Sequence, residues 1–100
     1  MYATIRRYVG NPGLADELAA RSDEVKAVIE PVQGFRKYFL IKSGDATASI
    51  TICDDQAGAD ASNRAAADWI KENMPEVASS PPEVTAGEVV FSTAAAKAHA

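Results

Sequence analysis

The sequence contains one cysteine, one histidine and one tryptophan among 100 residues. A lone cysteine, Cys53, excludes an internal disulfide and any zinc centre built on several thiolates. The lone histidine, His99, stands one residue from the end of the chain, where a side chain is rarely held still. A histidine-rich metal site and a Ser-His-Asp triad therefore find no support, and no metal centre is expected. There is no glycine-rich phosphate loop: NPGLA, starting at Asn11, is too short and has one glycine. No apolar run approaches the roughly 20 residues needed to cross a bilayer. The opening MYATIRRYVG carries two arginines and too short an apolar run for a secretory signal. A cytoplasmic protein without a membrane partner is the resulting expectation. Positive charge is also scarce. Ten Lys and Arg against 14 Asp and Glu give a net charge of -4, which argues against a nucleic-acid partner.

What is present is apolar but small. Hydrophobic residues make up 47% of the chain, much of it Ala, which buries little area per side chain. The length suits a single domain, expected over residues 1–92 with a tail over 93–100, and its core is modest. A second copy of the chain would supply part of the missing burial.

Residues 2–9, YATIRRYV, are aromatic and β-branched and stop at Gly10, as a strand does. Asn11 is a candidate N-cap, with Pro12 at the first helical position. Leu14, Leu18, Ser22, Val25 and Ile29 then recur every three or four residues, which predicts one helix over about 12–30, ended by Pro31. GFRKYFLIK from Gly34 reads as a second strand, and SGDA from Ser43 as the turn of a hairpin. TASITIC, Thr47 to Cys53, alternates between Ala48, Ile50 and Ile52 on one face and Thr47, Ser49 and Thr51 on the other. Asp54 or Asp55 caps a second helix that runs to about Met74, before Pro75. Val77 to Pro82 reads as a loop. EVTAGEVVF, Glu83 to Phe91, is a last strand with Gly87 as a possible bulge site.

The order β-α-β-β-α-β specifies an α+β, ferredoxin-like fold: a four-stranded antiparallel sheet with two helices on one face. Several strands are unsuited to water on both sides. Phe35, Phe39 and Ile41 oppose Tyr38 and Leu40; Ala3, Ile5 and Val9 oppose Tyr2, Thr4 and Tyr8. A second copy related by a two-fold axis is the economical cover for the face without helices.

On the second helix, SNRAAADWI from Ser62 to Ile70 places an indole and a carboxamide on one side. A wheel centred on Ala66 gathers Ala59, Ser62, Asn63, Trp69, Ile70 and Asn73 inward and sends Arg64, Asp68 and Lys71 outward. Alanines let the helix lie close to the sheet, whereas the indole holds it away, and uneven spacing of that kind leaves a cavity. Trp69 is then either core or a cavity wall. Ser62 and Asn63 either satisfy nearby backbone or face a ligand. Asn73 suits a helix cap. Arg6 and Arg7 point to opposite faces, so one lies under the helices. A buried arginine needs a carboxylate, with Glu83, Glu88 and Asp45 as candidates, or a bound anion. Tyr8 and Tyr38 are phenols on strands, suited to an interface, a core or a ligand. DDQAGAD, Asp54 to Asp60, lacks the pattern of a calcium loop and fits helix capping. Cys53 lacks the basic setting of a reactive thiolate.

The element order, the GF at Gly34, SITICDD from Ser49, the SNRAAADWI helix and PEVTAGEVVF from Pro82 together resemble the antibiotic-biosynthesis-monooxygenase-like group of the dimeric α+β barrel superfamily. The resemblance covers about residues 2–91. It implies a homodimer whose two sheets face each other. It also implies a cavity between helices and sheet in which some members oxidise polycyclic aromatics with molecular oxygen and no metal or flavin cofactor. Haem-degrading members need an axial histidine, for which His99 is a poor substitute. The expectation is a cofactor-independent monooxygenase of a hydrophobic aromatic or quinone-like molecule. A non-catalytic small-ligand-binding or stress-response module is the alternative. The candidate ligand-binding residues are Asn63, Trp69, Ser62, Tyr38 and, if its face is the cavity face, Arg7.

Overall fold

Residues 1–94 of the chain are described by the computed structural model. Strand β1, Tyr2–Tyr8, is followed by helices α1, Leu14–Ala20, and α2, Ser22–Ile29. The hairpin of β2, Phe35–Ser43, and β3, Ala46–Cys53, comes next, then the long helix α3, Gln56–Asn73. A short helical turn, α4, Pro75–Ala78, leads to β4, Glu83–Glu88. The strands form one antiparallel sheet in the order β2-β3-β1-β4. The chain therefore has the ferredoxin-like α+β architecture. The expected tail lies outside the described residues from 95 onward, His99 included. Among the described residues no helix is long and apolar enough to cross a membrane.

Several boundaries differ from the sequence reading. The first helix starts at Leu14, capped by Gly13 with φ 82° rather than by Asn11. A left-handed residue there suits glycine alone. The expected single helix is broken at Arg21, whose φ of -106° and ψ of 30° leave the helical region. Asp23 and Glu24 then occupy the first turn of α2, where carboxylates complement the helix dipole. Of the two expected cap candidates it is Asp55 that caps α3, accepting a bond from the Gly58 N–H at 3.0 Å. Val77 and Ala78, the start of the expected loop, belong instead to α4, because Pro75 suits a first helical position as well as it ends α3. Gly87 pairs in register with Ala3, so it makes no bulge. The irregularity lies in β2 instead, between Phe35 and Lys37. It moves Phe35 opposite Cys53 and off the face shared by Phe39 and Ile41.

Register fixes which face each side chain occupies. Cross-strand partners Thr4 and Thr51, Arg6 and Ser49, and Tyr8 and Thr47 lie under the helices and are buried. Ala3 with Ile52 and Ile5 with Ile50 lie on the uncovered face, together with Phe39 and Ile41. The sheet thus turns its hydroxyl-rich side to the helices and its aliphatic side outward.

Helix α3 meets this polar side unevenly. Its first half approaches through Gly58, Ala59 and Ser62, all buried. A Cβ on Gly58 would stand 2.7 Å from the Gln33 carbonyl oxygen and 3.1 Å from the Cys53 Cβ, so the contact admits no side chain. Its second half packs through Ile70 and Trp69 into a core with Tyr8, Leu14, Leu18, Met74 and Val77. Bulk at one end and none at the other make α3 a wedge over the sheet. Gly58→Ala tests the narrow end. The gain of about 1 kcal/mol in helix propensity is outweighed by an overpacking cost of about 1–3 kcal/mol. Urea unfolding should show a net loss of up to about 2 kcal/mol; a midpoint raised above the parent's would refute the close approach.

Candidate functional site

Because β1 alternates, Arg6 shares the helix-side face with Thr4 and Tyr8, whereas Arg7 lies exposed on the opposite face. Arg6 is only 4% exposed. Its Nη1 donates to Asn63 Oδ1 on α3 at 2.7 Å, and Thr4 Oγ1 donates to the same oxygen at 3.1 Å. Two donors on Oδ1 fix the orientation of the amide and leave its NH2 group uncommitted. The expected carboxylate partners do not reach Arg6. The ion pairs among the described residues join Arg21 to Glu17 and Glu24, Arg36 to Asp54, and Lys42 to Asp16. Arg6 Nε, Ser49 Oγ and Thr51 Oγ1 are buried without a hydrogen-bond partner. A buried cation bonded to a neutral amide, with only the neutral phenols of Tyr8 and Tyr38 as further polar neighbours, is electrostatically incomplete.

Two hollows adjoin this arginine. A chamber of about 40 Å³ lies under the Trp69 side of α3, with Tyr38, Leu40 and Ser49 in its floor and Leu18, Val25 and Ile29 in its roof. A cleft of about 570 Å³ lies on the other side, walled by Asn63, Arg64 and Lys71 of α3, by Val77 and Ala78, and by Pro81, Pro82 and Val84. Arg6, Tyr8 and Ile70 line both. Burial raises the pKa of the Tyr8 and Tyr38 phenols above the ordinary tyrosine value, with Arg6 partly opposing the shift in each and Ser49 also opposing it at Tyr38. Both therefore act as neutral hydrogen-bonding groups near neutral pH.

The sequence candidates are thus divided. Trp69 and Tyr38 line the chamber, and Asn63 lines the cleft. Ser62 reaches neither: it is fully buried and donates to the Ala59 carbonyl at 2.7 Å. Arg7 is on the outer face, and Arg6 takes the position left open to it. The parity of β1 carried that signal, since Arg6 alternates with Thr4 and Tyr8. Arg64 and Lys71, which the helical wheel turned outward, border the cleft because α4 and the Pro81–Pro82 segment fold back beside them. No pattern within α3 itself could have shown this.

A second polar cluster holds the indole. Arg21, at the break between α1 and α2, lies over the Trp69 ring at 4.8 Å from its centroid. It is fixed by two bonds to Glu24 and one to Asn73 Oδ1, while Asn73 Nδ2 donates to the Trp69 carbonyl at 2.9 Å. Asn73 is therefore structural. Cys53 is buried, and its thiol is pushed up first by that burial and then by Asp54 and Asp55, which leaves it a poor nucleophile. Among the described residues no group of three or more His, Cys, Asp or Glu is placed to hold a metal ion.

No protein-family model matches the chain, and no curated protein matches it in sequence. Solved structures do match it. A protein of unknown function from Nitrosomonas europaea, NE2512, is 22% identical with a TM-score of 0.72, over 95% of this chain and 94% of that one. The ActVA-Orf6 monooxygenase of Streptomyces coelicolor, solved with nanaomycin D, is 15% identical with a TM-score of 0.67, over 95% and 92%. SnoaB, a cofactor-independent oxygenase from Streptomyces nogalater, is 17% identical with a TM-score of 0.57, over 91% and 93%. At these identities the likeness is one of fold, and it agrees with the resemblance carried by the sequence: this chain has the fold of the antibiotic-biosynthesis-monooxygenase-like proteins.

Proposed function

We propose that the chain binds a hydrophobic aromatic or quinone-like molecule in the cleft beside Asn63 and oxidises it with molecular oxygen without a cofactor. The observation that carries this reading is Asn63 itself. Its oxygen is occupied by Arg6 and Thr4, and its NH2 group is left to donate at the wall of the cleft. A donor fixed in advance stabilises an oxyanion as it forms on a ring, because it need not reorganise during the reaction. The substrate must supply all the electrons. Oxidising an activated ring methylene to a carbonyl takes up one oxygen atom of O2, and the other leaves as water with the two displaced hydrogens. Apolar walls at Ile70, Val77 and Val84 suit the ring. Trp69 borders the smaller chamber, so its part is to close that end rather than to stack on a ring in the cleft.

The reading extends to a homodimer. Ile5, Phe39 and Ile41 stand exposed on the uncovered sheet face, at 37%, 46% and 42%, and a second copy laid sheet to sheet would bury them. One observation favours the alternative of a binding module without turnover. Among the described residues, those lining the cleft include no carboxylate and no histidine to take a proton from a substrate.

Oxygen uptake with hydroxylated polycyclic substrates decides between the two. Asn63→Ala should lower the rate by about 10²–10³-fold, the usual cost of losing an oxyanion donor; an unchanged rate removes that role. A ligand-induced change in Trp69 fluorescence with no oxygen uptake selects the binding module. For the assembly, sedimentation at micromolar concentration should give twice the protomer mass, and Phe39→Glu should give the single protomer. A parent protein that already sediments as one protomer contradicts the dimer.

A further inference from the structure

We infer that the site takes its ligand as an anion, with a negatively charged oxygen seated against Arg6 and Ser49 and the apolar remainder lying in the cleft. The inference rests on reading this cleft as a ligand site, and it does not depend on turnover. Arg6 is 4% exposed, faces no carboxylate, and keeps its Nε without a partner. Directly across the ladder, Ser49 Oγ is also buried and makes no hydrogen bond of good geometry, its polar neighbour being the Tyr38 phenol. Two buried hydrogen-bonding groups on paired residues make a seat for one oxygen atom, and the positive charge of Arg6 selects a negative one.

The charges around the site point the same way. Among the described residues, the fully charged side chains lining the two hollows are Arg6, Arg64 and Lys71, with no acid among them, in a chain of net charge -4. The other titratable groups facing Arg6 are the phenols of Tyr8 on β1 and Tyr38 on β2. The walls supplied by α1, α2 and the segment around α4 are apolar at Leu18, Val25, Val77 and Pro82. A local cationic wall in an acidic protein concentrates anions where the whole molecule repels them. Size fixes the orientation. The 40 Å³ chamber admits an oxygen substituent but not a ring, while the 570 Å³ cleft accepts a ring system. Arg6 lines both hollows and so stands between them, and the charged atom is placed beside it, on the side of Ser49.

The oxygen belongs either to an ionised phenol or to a carboxylate. A chromophoric naphthol, 4-nitro-1-naphthol, reports the first case directly, because its anion and neutral forms differ in colour. Titrated in complex with the full-length protein, it should ionise about 1–3 pH units lower than in free solution, the effect expected of a cation within hydrogen-bonding reach. Its methyl ether should bind at least about tenfold more weakly where the naphthol is ionised, a difference of about 1.4 kcal/mol. Arg6→Gln should abolish the shift, and Ser49→Ala, which removes one hydroxyl, should reduce it. 2-Naphthoate competing against the naphtholate assigns the source: tighter binding than the naphtholate indicates a carboxylate, weaker binding a phenolate. An unshifted naphthol in the parent protein, equal affinity for its methyl ether, or no binding of either anion at millimolar concentration overturns the inference. A shifted naphthol with no oxygen uptake on any substrate leaves it standing and removes only the monooxygenase reading.

Discussion

The sheet buries its polar face, and the rest of the molecule follows from that choice. Thr4, Arg6, Thr47, Ser49 and Thr51 lie under the helices, where an apolar lining would give more stability. Ile5, Ile50, Phe39 and Ile41 are turned outward, where a lone protomer cannot use them. One register produces both effects, since successive side chains alternate and a one-residue slip would exchange the two faces. The arrangement sacrifices core burial to line the space beneath α3 with hydroxyls, phenols and a guanidinium. It also leaves an aliphatic surface exposed on the outer face.

Helix α3 turns this lining into a site. Gly58, Ala59 and Ser62 bring its first half against β3 with no room to spare, and Trp69 and Ile70 give its second half bulk. Asn63 lies one residue past the close contact, where it still reaches Thr4 and Arg6 and already borders the cleft. Arg21 holds the indole from outside, tied to Glu24 and Asn73. This clamp explains why the first helix breaks where it does: a residue in the turn between α1 and α2 can direct its side chain across to α3. Rigid support on both sides of the hollow is what a preorganised binding site requires.

Much of this was legible in the sequence because it rests on local rules. The alternation of TASITIC gave the two faces of β3, the Asp54–Asp55 pair held the cap, and the wheel of α3 turned Ile70 inward, although it grouped Asn63 with Trp69 where the structure sets them at different hollows. The direction in which each face points was not legible. An alternating strand is normally oriented apolar side inward, and here the helices cover the other side. Arg6 and Arg7 could not be separated until β1 was registered against Ser49 and Ala48. Arg64 and Lys71 reach the cleft only through the return of the chain after α4, a long-range feature that α3 does not encode. The bulge after Phe35 and the break at Arg21 likewise depend on tertiary packing that overrides the local pattern.

The central claim is that Arg6 is enclosed for a ligand and not for the stability of the fold. Exchanging it for an apolar side chain of similar length measures this most directly. If no protein carboxylate completes the guanidinium, Arg6→Met removes a desolvation cost and loses one bond to the Asn63 amide and the contacts with the Tyr8 and Tyr38 phenols. The ligand-free variant should unfold in urea at the parent midpoint or above it. A loss of about 3–5 kcal/mol, the usual effect of breaking a buried charge pair, would show that Arg6 holds the protein together and would contradict the account.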